Sequence, residues 1–272
     1  MFWKTLPGSR IPVRRSSRAV LSLVSVIAVF VVPTTVPGQT RADYRLSTDR
    51  PDLSEASTVV PAGLLQLEIG VHTTRGRGAA GPTVSNTPTL FRIGAGAGWE
   101  IRLGGDGLVV IDVPGAQSVS GLADLAVGFK RSLGKNLALL GSVALPTAAA
   151  PFSNGSAVYG FIVAWDSNLG GGWELGFNYG GSLVPSFPGA DTRHYEHFVS
   201  AAFGHDLTTS LGVFFDLYGL RSHRRGSRTL LSTQVGATYL LTRLLQVDLY
   251  ADLGLTRRAP ARSLGAGLSV VF

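Results

Sequence analysis

Residues 244–272, LLQVDLYADLGLTRRAPARSLGAGLSVVF, contain two runs in which apolar residues alternate with polar or small ones. The apolar positions run from Leu245 to Leu255 and from Leu264 to Phe272, and the polar hexapeptide TRRAPA lies between the two runs. A two-residue period is the signature of a β-strand, because successive side chains point to opposite faces. Strands of about ten residues with one apolar and one polar or small face are typical of transmembrane β-barrels.

The same alternation recurs upstream of this closing pair. Ten further runs lie between Gly63 and Tyr239, so the sequence predicts twelve strands in total. Five short turns are predicted, at 96–98, 132–135, 168–171, 206–208 and 242–244. They alternate with longer polar segments at 74–87, 106–118, 147–155, 184–193, 221–228 and 256–261. In outer-membrane barrels the short turns are periplasmic and the long loops extracellular. An even number of strands also lets an antiparallel sheet close and lose its edges. We therefore predict an all-β fold, a 12-stranded antiparallel transmembrane β-barrel.

The competing architecture is a soluble β-sandwich, which would have the same period but would bury its apolar face. Three features favour the barrel. The apolar faces carry Trp, Tyr and Phe near the strand ends, where membrane girdles lie. The opposite faces are rich in Gly, Ser and Ala beside isolated charges, which suits a narrow lumen. Strands of about ten residues also exceed the usual length in globular sheets.

The composition excludes several classes of protein. The chain has 272 residues, of which 45% are hydrophobic and 15% charged, and it contains no Cys. It also lacks the repeated apolar runs of about 20 residues that a helical membrane protein needs. Without Cys it has no disulfides and no thiolate metal sites. The formal charge of +7 comes mostly from residues 1–38, and without them 19 basic residues face 17 acidic ones. This near-neutral balance argues against a nucleic-acid partner.

The sequence divides into three parts. Residues 1–38 have the pattern of a signal peptide, with basic residues before the apolar run 19–32 and small residues before Gln39. An N-terminal membrane anchor is the alternative. Residues 39–62 have no helical or strand period and are expected to form a lead-in or plug, and residues 63–272 form the barrel. An exported chain of this kind is expected in the bacterial outer membrane, in contact with its lipid.

The inward-facing polar residues of the predicted strands are candidates to line the lumen: Glu68, Arg92, Glu100, Arg102, Asp124, Lys130, Glu174, Glu196, Asp216, Gln246, Asp248 and Asp252. They could select solutes by charge, or pair with one another and hold the barrel rigid. Both signs occur, which favours mutual pairing. Asp49, Arg50 and Asp52 are candidates for a plug, and the acids of strand 245–255 suggest that Arg50 or another N-terminal base lies beside them.

Arginines cluster in the predicted extracellular loops. Guanidinium groups match the geometry of phosphate, so we expect contacts with lipopolysaccharide from Arg221, Arg224, Arg225, Arg228, Arg257 and Arg258. Solvated loops are the alternative.

The five His residues do not form a convincing set of zinc ligands. Asp191 and His194 could mimic part of a hydrolytic dyad, but no Ser and His pair supports catalysis. We expect no cofactor, no metal and no enzymatic activity.

Several short motifs resemble one bacterial outer-membrane family. They are TDRPD at 48–52, VPAG at 60–63, GLADLAVGFK at 121–130 and LPT at 145–147. In this order they are similar to the family of the meta-pathway of phenol degradation, and the resemblance covers about residues 46–272. It implies a barrel with an uptake role, here a channel for small, hydrophobic or aromatic solutes through a narrow charged lumen. The alternatives are a structural or adhesion barrel whose basic loops bind a partner, and an interfacial enzyme. The last strand, ending in Phe272, resembles the signal that the barrel-assembly machinery reads.

Overall fold

The computed structural model describes residues 44–50, 54–224 and 226–272. The predicted signal peptide, 1–38, lies outside these residues. The described part of the chain forms one antiparallel sheet. Among the described residues, no helix is long and apolar enough to cross a membrane.

Fifteen strand segments build the sheet. They are β1 (Leu65–Arg75), β2 (Thr83–Asn86), β3 (Thr89–Gly96), β4 (Trp99–Gly105), β5 (Leu108–Asp112), β6 (Val119–Leu122), β7 (Leu125–Ser132), β8 (Leu137–Leu145), β9 (Val158–Gly170), β10 (Trp173–Pro185), β11 (Arg193–Asp206), β12 (Leu211–Ser222), β13 (Leu230–Thr242), β14 (Leu245–Gly254) and β15 (Arg262–Val271).

Three of the barrel strands are each split into two segments by a two-residue interruption. β2 and β3 both pair with β1, and their partners β5 and β4 pair in turn with β6 and β7. The interruptions at 87–88, 106–107 and 123–124 therefore lie side by side. Counted across them, the barrel has twelve antiparallel strands, and the predicted fold class is confirmed.

The last strand closes the barrel against the first. β15 pairs with β1 over ten residues, from Gln66 opposite Val271 to Arg75 opposite Arg262. The backbone N–H of Phe272 also donates to the carbonyl of Leu65 at 2.8 Å. Closure satisfies the edge hydrogen bonds that an open sheet would expose in a membrane.

The two faces of the wall are inverted relative to a soluble protein. Outward-facing Phe129, Phe161 and Phe203 are 45%, 41% and 42% exposed, whereas inward-facing Arg92 and Lys130 are fully buried. A barrel in a bilayer has an apolar outer band around a polar interior, because lipid solvates apolar side chains and not charges. This arrangement agrees with a transmembrane barrel and excludes the β-sandwich.

The short turns lie where the alternation predicts them. Between β3 and β4, the turn residues Ala97 and Gly98 have φ of 49° and 76°. Positive φ at both central positions is the requirement of a type I′ hairpin, whose twist matches that of the flanking strands.

The predicted long segments 74–87 and 106–118 are wrong in part, because strands occupy some of each. β2 covers Thr83–Asn86 and β5 covers Leu108–Asp112, and these two segments pair with each other. From β4 to β5 the inward positions change from even, as at Arg102, to odd, as at Val109. Pro82, Pro88 and Pro114 also lie around these segments. Both features hide the strand period in the sequence. The paired segments continue the barrel wall on its long-loop side.

Candidate functional site

The residues before β1 make an excursion into the barrel interior. The segment 44–64, described apart from 51–53, enters at the short-turn end, where the N–H of Leu46 donates to the carbonyl of Arg243 at 3.0 Å. It leaves at the same end, where the N–H of Gly63 donates to Gly94 at 3.1 Å. The two limbs are joined by the hydroxyls of Ser47 and Thr58, 2.7 Å apart. We call residues 44–64 the N-terminal segment.

Apolar packing anchors the base of this segment at the short-turn end. Tyr44, Leu46, Val60 and Leu64 form one buried cluster with Val271 of the last strand. Fully burying side chains of this size stabilises a contact by about 1.5–3 kcal/mol each. The cluster therefore ties the segment to the seam where the barrel closes.

A charged network inside the barrel centres on the Asp49 carboxylate. Asp49 accepts hydrogen bonds from Lys130 Nζ at 2.8 Å and from Arg102 Nη1 at 2.5 Å, and Arg92 Nε lies 3.3 Å away. Its own N–H donates to Glu68 Oε1 at 3.1 Å. One residue of the N-terminal segment thus links four strands of the wall, β1, β3, β4 and β7. We call the following set the Asp49 network: Asp49, Glu55, Glu68, Arg92, Glu100, Arg102 and Lys130.

The wall residues of the Asp49 network also pair with one another. Arg92 makes two 2.9 Å bonds to the Glu100 carboxylate and a third of 2.9 Å to Glu68. Arg92 and Arg102 are direct cross-strand partners, which alone would be unfavourable for like charges. Glu100 lies between them and bonds to Arg102 Nη1 at 3.0 Å. Four acids and three bases therefore neutralise each other almost completely in a buried setting.

The electrostatics of Asp49 follow from this setting. Burial would raise the pKa of the Asp49 carboxyl, but Arg92, Lys130 and Arg102 together lower it further, so the pKa lies well below its ordinary value. Asp49 is therefore a charged acceptor at neutral pH.

The second limb of the N-terminal segment crosses to the opposite wall. Glu55 and Asn178 exchange two hydrogen bonds, from Glu55 N to Asn178 Oδ1 at 2.6 Å and from Asn178 Nδ2 to Glu55 O at 3.1 Å. Ser54 contacts Ser200 at 2.8 Å, and Ser57 Oγ donates to Asp166 at 2.7 Å. Since Glu55 also binds Arg102 at 2.8 Å, the segment bridges β4 on one side and β10 on the other.

Arg50 ties the first limb to the closing strands. Its Nη2 lies 3.1 Å from Asp248 Oδ1, and its guanidinium carbon lies 5.9 Å from the centre of the Tyr250 ring. Gly70 and Gly267 leave the room for it, because a Cβ at either position would collide with the guanidinium group. Small residues at the seam are therefore a condition of this contact.

A cavity of about 810 Å³ lies on the long-loop side of the N-terminal segment. Glu55 and Arg102 form its floor, and one wall is a lateral row of small residues, Gly128, Ser142, Gly160 and Ser182. Leu140 and Ile162 line the same wall and pack with the buried Ala138 and Ala164. Its remaining lining includes Arg224, Arg228, Arg257 and Arg258.

The predicted lumen residues fall almost entirely inside the barrel. Glu68, Arg92, Glu100, Arg102, Asp124, Lys130, Glu196, Asp216, Gln246, Asp248 and Asp252 are each at most 8% exposed. Glu174 is exposed beside the β9–β10 turn. Asp124 accepts bonds from the N–H groups of Ala148 and Asn154 and so holds a long loop.

The other predicted residues divide between two places. Asp49 and Arg50 lie inside the barrel, while Asp52 and Arg225 fall outside the described residues. Arg221 is exposed on the outer face of β12, whereas Arg224, Arg228, Arg257 and Arg258 line the cavity. His194 Nε2 lies 3.3 Å from Glu196 rather than beside Asp191. Among the described residues, no group of three His, Asp or Glu could hold a metal ion.

Several residues of the site escape the sequence argument. The sequence pattern predicts no contact with the N-terminal segment for Asn178 or Ser200, although both share the inward parity of their strands. Glu55 gives no such signal, because the N-terminal segment has no period. Ile162 can be recognised from the sequence, because it is an apolar residue at an inward position where the alternation predicts a polar or small one. It lines the cavity.

The fold and the filled lumen define the class of protein: an outer-membrane β-barrel with the architecture of channels and porins, located in the bacterial outer membrane. The COG4313 outer membrane channel from Pseudomonas putida F1 matches with a TM-score of 0.61 and 12% identity, over 79% of this chain and 98% of that one. The NanC porin matches with a TM-score of 0.52 and 13% identity, over 76% and 98%. Residues 48–272 match the model of the family described as "Putative MetA-pathway of phenol degradation", and the chain belongs to that family. A search of the curated proteins found no match.

Proposed function

We propose that this protein is an outer-membrane channel for small apolar or aromatic solutes, closed on its periplasmic side by the N-terminal segment. The observation that carries the proposal is the inward-facing apolar patch of Leu140 and Ile162 beside the cavity. A lumen built only for ions and sugars has no reason to place such side chains inward. The cavity volume of about 810 Å³ also lies in the range of small-molecule sites.

The arrangement suggests a path in two stages. A solute enters from the long-loop side, passes the arginines of the cavity mouth and leaves water against Leu140 and Ile162. It then meets Glu55 of the N-terminal segment, which bridges β4 and β10. Passage into the periplasm requires that the limb 54–60 move aside.

The buried charges act in this proposal as a latch and not as a filter for solutes. The Asp49 network is neutralised internally, and its members are at most 9% exposed. Such a network holds the N-terminal segment in place but presents little free charge to a solute. This favours mutual pairing over charge selection for Glu68, Arg92, Glu100, Arg102 and Lys130.

A structural or adhesion barrel is the second candidate, because the N-terminal segment fills the lower lumen. A channel and a structural barrel can be distinguished by whether solutes cross a membrane that contains the protein. We would compare the full protein with a deletion of residues 40–60, in planar bilayers and in swelling of liposomes, with solutes graded in size and polarity. A channel closed by the segment shows larger conductance after the deletion, and the full protein passes small aromatic solutes faster than sugars of equal size. A structural barrel passes neither class of solute in the full protein, and unchanged conductance after the deletion would exclude the segment as the closing element.

A further inference from the structure

On the outer face of the described strands the charged side chains are nearly all basic, although Arg92, Arg102 and Lys130 lie on the inner face. Among the described strands, the acids share the inward parity except Asp112, at the loop end of β5. Outward-facing charged or ionisable bases lie at both edges, but on the long-loop side they form a group. This group consists of Arg193, His197, Arg221 and His223, which we call the outer-wall patch.

Aromatic contacts organise the outer-wall patch. Tyr195 meets the His197 ring edge-on at 4.5 Å, and the rings of His197 and His223 are 4.6 Å apart. The Tyr179 hydroxyl and His197 Nδ1 are 2.8 Å apart. Gly181 makes the patch possible, since a Cβ there would collide with the Tyr195 ring. Tyr195 therefore lies flat against the wall.

The guanidinium groups of the patch have no carboxylate partner. In the described part of the chain, no acid forms an ion pair with Arg193 or Arg221. Arg193 lies over the Tyr159 ring at 5.5 Å and donates from Nη1 to the carbonyl of Ala157, and Arg221 donates to the Thr229 hydroxyl at 3.4 Å. A guanidinium group carries five N–H donors, so each arginine has donors beyond these bonds.

Two arginines that lie opposite each other at the same edge of the wall would also be stabilised by a bound anion. Arg75 and Arg262 are direct partners across the β1–β15 seam, and both are exposed on the outer face. Like charges directly opposite each other are destabilising in a sheet. An anion bound from the membrane side would offset this repulsion.

We propose that the outer-wall patch binds the phosphate groups of lipopolysaccharide in the outer leaflet. Arginine forks match phosphate in a bidentate manner, and tyrosine rings at a membrane interface present an apolar body beside a polar tip. The long-loop edge is the level at which the phosphorylated glycolipid headgroup lies. Of the described loop arginines predicted to contact lipopolysaccharide, Arg221 belongs to this surface, whereas Arg224, Arg228, Arg257 and Arg258 line the cavity.

The test is titration of the full-length barrel with fluorescent lipopolysaccharide in mild detergent. The variant R193A/R221A should lose affinity on the order of tenfold or more, since each interfacial arginine contributes about a factor of five. The control R131A/R243A removes two arginines from the short-turn edge and should bind as the parent does. Lysine replacements, R193K/R221K, should recover part of the affinity, because the charge remains without the fork.

Three results would overturn the proposal. One is an equal loss in R131A/R243A. Another is parent-like binding of lipopolysaccharide from which the phosphates have been removed. The third is an equal loss of binding to phosphatidylglycerol vesicles, which would indicate a general anionic surface. Heat-modifiable migration on gels verifies that each variant is folded, and conductance should not change, since the patch is outside the lumen.

Discussion

Arg50 and Asp248 are 198 residues apart in the chain, yet Arg50 Nη2 lies 3.1 Å from Asp248 Oδ1 inside the barrel. The contact joins the N-terminal segment to the strand before the closing strand. It spans the seam region, where Gly70 and Gly267 make room for the guanidinium group. A strand next to the closing strand therefore helps to hold the N-terminal segment inside the barrel.

Replacing Asp248 with Asn should loosen the N-terminal segment. The charge-assisted bonds of Arg50 are worth about 1.5–3 kcal/mol, so the open fraction should rise by about tenfold or more. The chain has no Cys, so a single Cys introduced at Ser54 reports opening through its rate of maleimide labelling. Asp252→Asn is the matched control, because Asp252 lies on the same strand without a described contact to the segment. Equal labelling rates in both variants would contradict the latch.

Replacing Asp49 with Asn should have a larger effect. The variant leaves Lys130, Arg102 and Arg92 short of one buried negative partner, and breaking a buried pair in this way costs about 3–5 kcal/mol. We expect a lower unfolding temperature in heat-modifiability gels and a larger single-channel conductance. The double variant D49N/K130M should recover part of the stability, because it removes the unpaired cation. Additive losses would mean that Asp49 and Lys130 are not coupled.

Acidification should open the N-terminal segment only at low pH. The pKa of Asp49 in the folded protein lies well below its ordinary value, because three neighbouring cations outweigh the effect of burial. A depressed pKa contributes stability that is present above the ordinary pKa and is lost as pH falls through the folded value. Conductance should stay constant from neutral pH to about 5 and rise below about pH 4. In Asp49→Asn this rise should be smaller, because acid can then release only the remaining carboxylates that hold the segment, such as Asp248 beside Arg50. A transition near pH 6 in the parent would rule out Asp49 as the group that titrates.

Making the apolar patch of the cavity polar should impair transport of aromatic solutes selectively. The variant L140T/I162T removes apolar surface worth about 1–2 kcal/mol of solute binding, or on the order of tenfold in uptake at low concentration. Ionic conductance should change little, because the N-terminal segment is untouched. Ser142→Ala in the neighbouring row of small residues is the control. Liposome uptake assays with a phenolic solute and with a sugar give the ratio of the two uptake rates in the variant and in the parent. An equal fall in both rates would speak against an apolar binding step.

Much of the wall follows from local periodicity. Leu245, Val247 and Leu249 alternate with Gln246 and Asp248, and the pleat alone assigns these two sets to opposite faces. The alternation of short turns and long loops then predicts that consecutive strands are antiparallel neighbours. An even number of strands allows such a sheet to close into a barrel. These properties depend on residues close together in the chain, so the sequence predicts them without knowledge of any distant contact.

The period fails where backbone irregularity interrupts it. At 87–88, 106–107 and 123–124 the strands are broken at neighbouring positions, and two of the segments beyond, β2 and β5, lie where the sequence predicts loops. Their strand character depends on pairing with one another, as Thr83 does with Asp112. No short window of sequence contains both partners of such a pair.

The sequence by itself determined a twelve-stranded barrel, its inward and outward faces and the polar character of its lumen, since a side-chain period of two is a local property of the backbone. The tertiary structure alone decided what the lumen contains. Asp49 lies in a segment without a period, and its partners Arg102 and Lys130 follow it by 53 and 81 residues. Pairing of the neighbouring strands β3, β4 and β7 brings these cations together, and the return of the N-terminal segment into the barrel places one carboxylate among them. For the same reason the arginines of the long loops divide between the cavity mouth and the outer wall, a distinction that depends on where the chain turns in space.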